Sequence, residues 1–345
     1  MYDLSILIPA RSEMFLARTV EDILQNKRGK TEILVGLDGE WAEPGIPDHK
    51  DVKIIYVAQS IGQRAMTNRL ASLSRAKYVA KADAHCAFDE GFDIKLMAKM
   101  QDSYTMVPIM KNLWAFDWKC YDCGLRTYQG PTTQKCEQCG AGRRRIKRKM
   151  VWHAKESPQS KSYCFDSEPH FQYFGEYMKR PEGRPVDGLT ESMSLQGSFF
   201  MLTREKYWEL DISSETFPSW GSQGIEVACK TWLSGGRVVV NHDTWYGHMF
   251  RTQGGDFSFP YPQSGRGVNK AKEHARNIFF ENRWEGQTLP LSWLLEKFWP
   301  VRGWNDEEFK LMKQKGEEFY DKRDNILHGQ QTEPEDTVSS NQAAE

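Results

Sequence analysis

Short apolar runs alternate with amphipathic stretches through the N-terminal part of the chain. Leu4–Pro9 is compactly apolar and predicts a buried strand. Phe15–Gln25 sets Leu16, Val20, Ile23 and Leu24 at helical spacing and runs into the polar turn Asn26–Lys30. Glu32–Leu37 and Val52–Val57 predict two further strands, Gln63–Ser74 a helix, and Lys77–Ala82 a fourth strand. Strand and helix alternate from the first residues, which predicts an α/β fold on a mostly parallel sheet flanked by helices. Farther along, Gly197–Thr203 and Gly236–Asn241 read as strands. Gly224–Leu233, Lys270–Arg283 and Pro290–Phe298 read as helices. The Gly-, Pro- and aromatic-rich stretch Asp256–Gly267 predicts a mobile loop, and the polar stretch Gln330–Glu345 a disordered tail.

In open α/β sheets ligands bind beyond the carboxyl ends of the strands. Pro9, Ala10, Arg11 and Glu13, then Asp38, then Asp83-Ala84-His85-Cys86 all fall at such ends. In an extended chain Asp83 and His85 point the same way. A hard oxygen beside a borderline nitrogen suits Mn²⁺ better than Ca²⁺. An ion there would neutralise the charge on a diphosphate leaving group. Asp and His also end strands simply as turn formers, so these residues alone leave both readings open.

The chain has seven cysteines. Cys120-Tyr121-Asp122-Cys123 and Cys136-Glu137-Gln138-Cys139 make two C-x-x-C pairs, each followed by glycine (Gly124, Gly140). Four thiolates in two tight pairs can surround a structural Zn²⁺ and leave no open coordination position. Cys86, Cys164 and Cys229 are unpaired by spacing and read as core or surface thiols. Arg143–Lys149 is a basic run, either a solvated face or a contact to a phosphate backbone. Trp114, Trp118, Tyr121, Tyr128 and Trp152 lie near it and would either stack on bases or form a small core.

Formal net charge is −1, so affinity for nucleic acid would need a local patch. No apolar run is long enough to span a bilayer, and the N-terminus shows no leader pattern, so a soluble cytoplasmic protein is expected. The expected organisation is an N-terminal half of an α/β domain over 1–112, an inserted zinc ribbon and basic segment over 113–155, and the second half of that domain over 156–284. A helical extension over 285–329 and the tail over 330–345 follow.

Several motifs in order resemble the GT-A glycosyltransferases, and most nearly the polypeptide N-acetylgalactosaminyltransferase family. Leu4–Glu13 followed by Leu16–Val20 is similar to that family's first strand and helix. Ile61-Gly62-Gln63-Arg64 and Asn68-Arg69 resemble the helix before its metal motif, and Asp83-Ala84-His85-Cys86 resembles its D-x-H-C. Trp220–Gly236 is similar to its W-G-G-E-N-x-E…W-x-x-G-G block, and Gly247-His248-Met249-Phe250-Arg251 to G-H-V-F-R. The resemblance covers roughly residues 4–284, interrupted by the cysteine region. Two departures stand out: Ser222-Gln223-Gly224 replaces G-E-N, and Leu37 replaces the first of a common aspartate pair.

The resemblance implies a Rossmann-like GT-A sheet and transfer of a sugar from a UDP-sugar. It implies Asp83, His85 and His248 as Mn²⁺ ligands. Pro9, Ala10, Arg11, Glu13, Asp38, Arg64 and Ala84 would line the nucleotide pocket, with Arg251 on the diphosphate. Trp220, Gln223, Glu226 and Arg251 are the candidate catalytic positions. Gln223 and Gly224 cannot take a proton, which points to retention of configuration, with the departing phosphate as base. For the acceptor, the cysteine ribbon and basic run favour DNA carrying a hydroxymethylated base, which would have to be flipped out of a duplex. The alternatives are a protein Ser/Thr or glycan hydroxyl, or an inactive module that binds nucleic acid.

Overall fold

The computed structural model describes residues 1–219, 221–251, 257, 261 and 265–327. The chain opens with β1 (Leu4–Ala10), α1 (Leu16–Asn26), β2 (Thr31–Asp38), β3 (Val52–Val57), α2 (Gln63–Leu73) and β4 (Tyr78–Ala82). These four strands pair in parallel in the order β4-β1-β2-β3. Every residue of β1 and β2 is buried. That is why both read as unbroken apolar runs: parallel strands are covered on both faces. α1 lays Leu16, Val20 and Ile23 on the core, as its spacing requires.

Next come β5 (Cys86–Phe88), α3 (Phe92–Ala98), β6 (Tyr104–Cys120), β7 (Arg126–Tyr128) and β8 (Ile146–Ser160). β9 (Tyr163–Phe165) and β10 (Phe171–Tyr173) form a separate two-stranded ribbon. β11 (Leu189–Glu191), β12 (Phe199–Thr203), α4 (Arg204–Glu209), α5 (Gln223–Leu233) and β13 (Arg237–His248) return the chain to the main sheet. β12 runs antiparallel between β4 and β6, and β13 lies parallel to β6. The 11-stranded sheet is therefore mixed and mostly parallel on its N-terminal side, as expected. α6 (Gly265–Ala275) passes into a π-helical turn, Arg276–Phe280, before α7 (Leu291–Phe298) and α8 (Asp306–Leu327). No helix among the described residues is long and apolar enough to cross a membrane.

Two differences from the sequence expectations bear on function. β13 does not stop at Asn241. A register shift between Asn241 and Trp245 absorbs His242-Asp243-Thr244, and the strand continues to His248. The polar bulge hid that continuation, because it breaks the alternation expected of a strand. The second difference is β6, 17 residues long, and its antiparallel partner β8, 15 residues long. β6 runs without a break past residue 112, so the four cysteines cap a long hairpin that grows out of the main sheet. Inward, Phe116, Trp118, Cys120 and Ile146 pack with Phe15 in a second apolar cluster. Trp152 Nε1 donates to Asp22 Oδ2 at 2.9 Å and ties the hairpin to α1. Trp118 is thus core, whereas Tyr121 and Tyr128 are exposed.

Trp220, the tail over 330–345, and most of the loop expected over Asp256–Gly267 lie outside the described residues.

Candidate metal and nucleotide site

The site forms where β4 ends. The backbone N–H of Asp83 donates to Ser198 O at 2.8 Å, fixing the chain as it leaves the strand. β5 then pairs antiparallel with β13, setting Cys86 opposite His248. Met249 N donates to His85 O at 3.2 Å and closes the same corner. One ligand atom each from Asp83, His85 and His248 therefore lies within 4.8 Å of the others. His248 Nε2 is 3.3 Å and His85 Nε2 3.8 Å from Asp83 Oδ2. The buried Lys81 pairs with Asp83 Oδ1 and donates to Gly197 O at 2.8 Å, which leaves Oδ2 between the two imidazoles.

The electrostatics suit a cation. Burial pushes His248 down to about 4, outweighing its hydrogen bond with Asp83, so its ring is neutral near pH 7 and keeps a lone pair. Burial opposes the charge on Asp83, but Lys81 and the two imidazoles overcome that and hold it well below the usual carboxylate range. One buried nitrogen, His248 Nδ1, has no hydrogen-bond partner. A carboxylate oxygen and two imidazole nitrogens on one side fit Mn²⁺.

Glu13 stands behind this trio rather than in an open pocket. Its Oε2 is 3.3 Å from His85 Nδ1, and its Oε1 pairs with Arg251. Such a carboxylate orients a metal-binding imidazole. The Arg251 guanidinium in turn sits 4.1 Å from the ring centroid of Phe257, and the Phe257 and His85 rings meet nearly at right angles with centroids 5.1 Å apart. Arg251 is thus beside the trio. Pro9 and Ala10 are buried in β1, opposite Gly36 and Leu37. Ala84 is buried between Asp83 and His85. Arg11 emerges just past β1 and lies 5.8 Å from the ring centroid of Tyr261.

Three of the candidate residues are engaged by protein groups. Asp38 accepts from Ile61 N (2.7 Å), Gly62 N (3.0 Å), Ser60 Oγ (2.9 Å) and the Tyr261 hydroxyl (2.9 Å). A carboxylate has about four acceptor sites. In this structure Asp38 therefore anchors the turn into α2 and Tyr261 rather than facing a nucleoside. Arg64 is buried and spends its donors within the protein: it pairs with Glu226 and donates to Ser219 O (2.7 Å), Ser214 O (3.3 Å) and Gly221 O (3.1 Å). Glu226 is fully buried between Arg64 and Lys230 Nζ (3.0 Å) and accepts from Ser214 N at 2.9 Å. It braces the loop before α5 and is not available to an acceptor. The sequence block carrying Glu226 looked catalytic because a structural ion pair and a catalytic carboxylate look the same in one dimension.

Gln223 opens α5. Its Nε2 donates to Ser213 Oγ at 3.1 Å, and its Oε1 accepts from Gln63 Nε2 at 3.1 Å. At Gly224 a Cβ would lie 2.1 Å from Leu195 O, so no side chain of any kind fits there. Sequence reasoning missed Tyr261 and Phe257 as individual contacts. Their only signal was the aromatic content of the loop that holds them.

At the hairpin tip the four cysteine sulfurs also lie within 4.8 Å of one another. Cys120 Sγ–Cys139 Sγ is 3.7 Å and Cys123 Sγ–Cys136 Sγ is 3.6 Å. Tetrahedral Zn–S bonds of about 2.3 Å put sulfurs about 3.8 Å apart. Gly124 and Gly140 have φ of 79° and 75°, and each donates back to the first cysteine of its pair (3.0 and 2.9 Å). These are the two turns the spacing predicted, both in a backbone region that favours glycine.

No family model matches the chain. It is 23% identical over 269 residues to human polypeptide N-acetylgalactosaminyltransferase 3, covering 74% of this chain and 38% of that protein. It is 21% identical over 213 residues to bovine polypeptide N-acetylgalactosaminyltransferase 6, covering 60% of this chain and 30% of that protein. The chain spans about a third of the length of these curated relatives. The crystal structure of GalNAc-T7 with UDP, GalNAc and Mn2+ superposes with a TM-score of 0.58 at 14% identity, over 94% of this chain and 58% of that one. The chain has the GT-A fold of that structure, and its sequence is similar to those of the polypeptide N-acetylgalactosaminyltransferases.

Proposed function

We propose that the protein is a Mn²⁺-dependent glycosyltransferase that moves a sugar from a UDP-sugar to a hydroxyl group. The convergence of Asp83, His85 and His248 on one point beyond the strand ends carries this reading. The superposed GalNAc-T7 structure, which holds UDP, GalNAc and Mn2+, supports the choice of donor and metal.

In this reading Asp83, His85 and His248 hold the ion, which when bound supplies positive charge to the diphosphate. Glu13 holds the His85 ring in place, and Lys81 fixes the Asp83 rotamer. Arg251 adds charge beside the leaving group. The bond from the sugar's anomeric carbon to the diphosphate breaks, and a bond to the acceptor oxygen forms on the same face. The acceptor proton passes to the departing phosphate oxygen. Retention is favoured because the first turn of α5 offers no usable base: Gln223 is neutral, Gly224 admits no side chain, and Glu226 is enclosed by cations.

The acceptor best supported is a protein Ser/Thr hydroxyl, from the likeness to polypeptide-modifying relatives. A hydroxymethylated base in DNA is the second reading, favoured by the basic outer face of the β6–β8 hairpin. The four-cysteine tip holds a structural Zn²⁺, on the sulfur spacing and the two glycine turns.

The test is UDP release from UDP-sugars with Mn²⁺, with mass spectrometry of Ser/Thr peptides and hydroxymethylated DNA offered as acceptors. Asp83→Ala and His248→Ala should each lower turnover by about 100-fold or more. Undiminished turnover in both variants would overturn the site. NMR of the product anomer decides retention.

A further inference from the structure

The outer face of the β6–β8 hairpin carries an arrangement that the catalytic site does not use. Lys147 on β8 lies directly opposite Lys119 on β6, and Lys119 lies opposite Arg126 on β7. Three cations thus form one row across three strands, at the strand spacing of about 4.8 Å. Like charges set directly opposite one another destabilise a sheet. In the next row Lys149, Asp117 and Tyr128 face one another. Asp117 is the single carboxylate of these two rows. It is buried, and it is already held by Arg126 (2.7 Å) and by Trp114 Nε1 (2.8 Å). In a chain of net charge −1, four cations against one carboxylate is a local excess of positive charge that overall composition does not produce.

Aromatic rings are interleaved with these charges. Tyr121 is 57% and Tyr128 45% exposed. Lys119 Nζ lies 5.6 Å from the Tyr121 ring centroid, and Lys155 Nζ lies 4.5 Å from that of Tyr128. The Trp114 ring is 5.7 Å from Tyr128. The face runs from Trp114 to Lys119, about 17 Å of strand. On β6 it begins two positions beyond Asn112, the register partner of His248.

We propose that this face binds single-stranded nucleic acid. Phosphates would lie along the Lys147–Lys119–Arg126 row and Lys149, and unstacked bases would lie on Tyr121 and Tyr128. A duplex hides its base faces, and an acidic peptide has none. Either would engage the cations and leave the tyrosines unused. Stacking on exposed aromatics beside a cationic track is the physics of single-strand binding. The proposal is independent of the sugar-transfer reading, because binding is measured with no donor present.

The experiment is fluorescence anisotropy of a labelled oligothymidylate with the full zinc-loaded chain, titrated across salt concentrations. Duplex DNA of the same length and polyglutamate serve as competitors. Four displaced counterions give a slope of log K against log salt of about −3. The double variant Lys147→Gln/Lys149→Gln should halve that slope. Tyr128→Leu should weaken binding about tenfold with the slope unchanged. Both variants are at exposed positions, and unchanged melting temperatures confirm that they fold. No binding at low salt overturns the proposal. So does competition by duplex or polyglutamate as strong as by single strands, or a Tyr128→Leu variant that binds as well as the parent.

Discussion

Glu13 Oε2 and His85 Nδ1 are 3.3 Å apart, although the two residues belong to the ends of different strands, 72 positions apart in the chain. The contact turns the far nitrogen of His85 toward Asp83. It also couples the D-x-H corner to Arg251, which pairs with the other Glu13 oxygen.

Glu13→Gln should weaken Mn²⁺ binding by about 10- to 100-fold without unfolding the protein, because the ring loses its charged orienting partner. Mn²⁺ titration followed by electron paramagnetic resonance reads this directly. Affinity equal to that of the parent would mean that Glu13 does not orient a ligand.

Glu226→Ala should cost stability rather than chemistry. It leaves Arg64 and Lys230 buried without their anion, which typically costs about 3–5 kcal/mol. Urea unfolding measures it. A variant that keeps its stability but loses turnover would restore Glu226 to a catalytic role.

Gly224→Ala should be destabilising by about 1–3 kcal/mol or more, because its new methyl would meet Leu195 O. The same substitution at the exposed Gly142 meets no atom within 4 Å and serves as the control in thermal melts.

Chelation should remove one Zn²⁺ per chain and loosen the hairpin tip, and Cys136→Ser should lower bound zinc to near zero by elemental analysis. The parallel core does not depend on these thiols. Protection of β1 and β2 amides from hydrogen exchange should therefore survive, while that of β7 and the start of β8 is lost.

Acid should destabilise the metal-free protein in a defined window. The folded His248 has its pKa pushed down to about 4, against about 6.5 in the unfolded chain. Between those values the unfolded chain binds a proton and the folded one does not. The stability from keeping the ring neutral is therefore complete above about pH 6.5 and is lost as pH falls toward 4, up to about 3 kcal/mol. Urea melts at several pH values should show this slope, and His248→Phe should flatten it. An unchanged slope in that variant would place the titration elsewhere.

The sequence by itself determined the N-terminal architecture, because strands buried on both faces must be continuously apolar, and β1 and β2 are. It also determined both cysteine turns, whose chemistry is local and set by short spacing. Asp83 and His85 were legible for the same reason. Only the tertiary structure decided which carboxylates are free. Asp38 and Glu226 are anions of the same kind as Asp83 in sequence, but four donors close around the first and two buried cations around the second. It also decided that Lys119, Arg126 and Lys147 form one row. That adjacency arises from pairing across three strands, and sheet pairing joins residues that sequence distance does not.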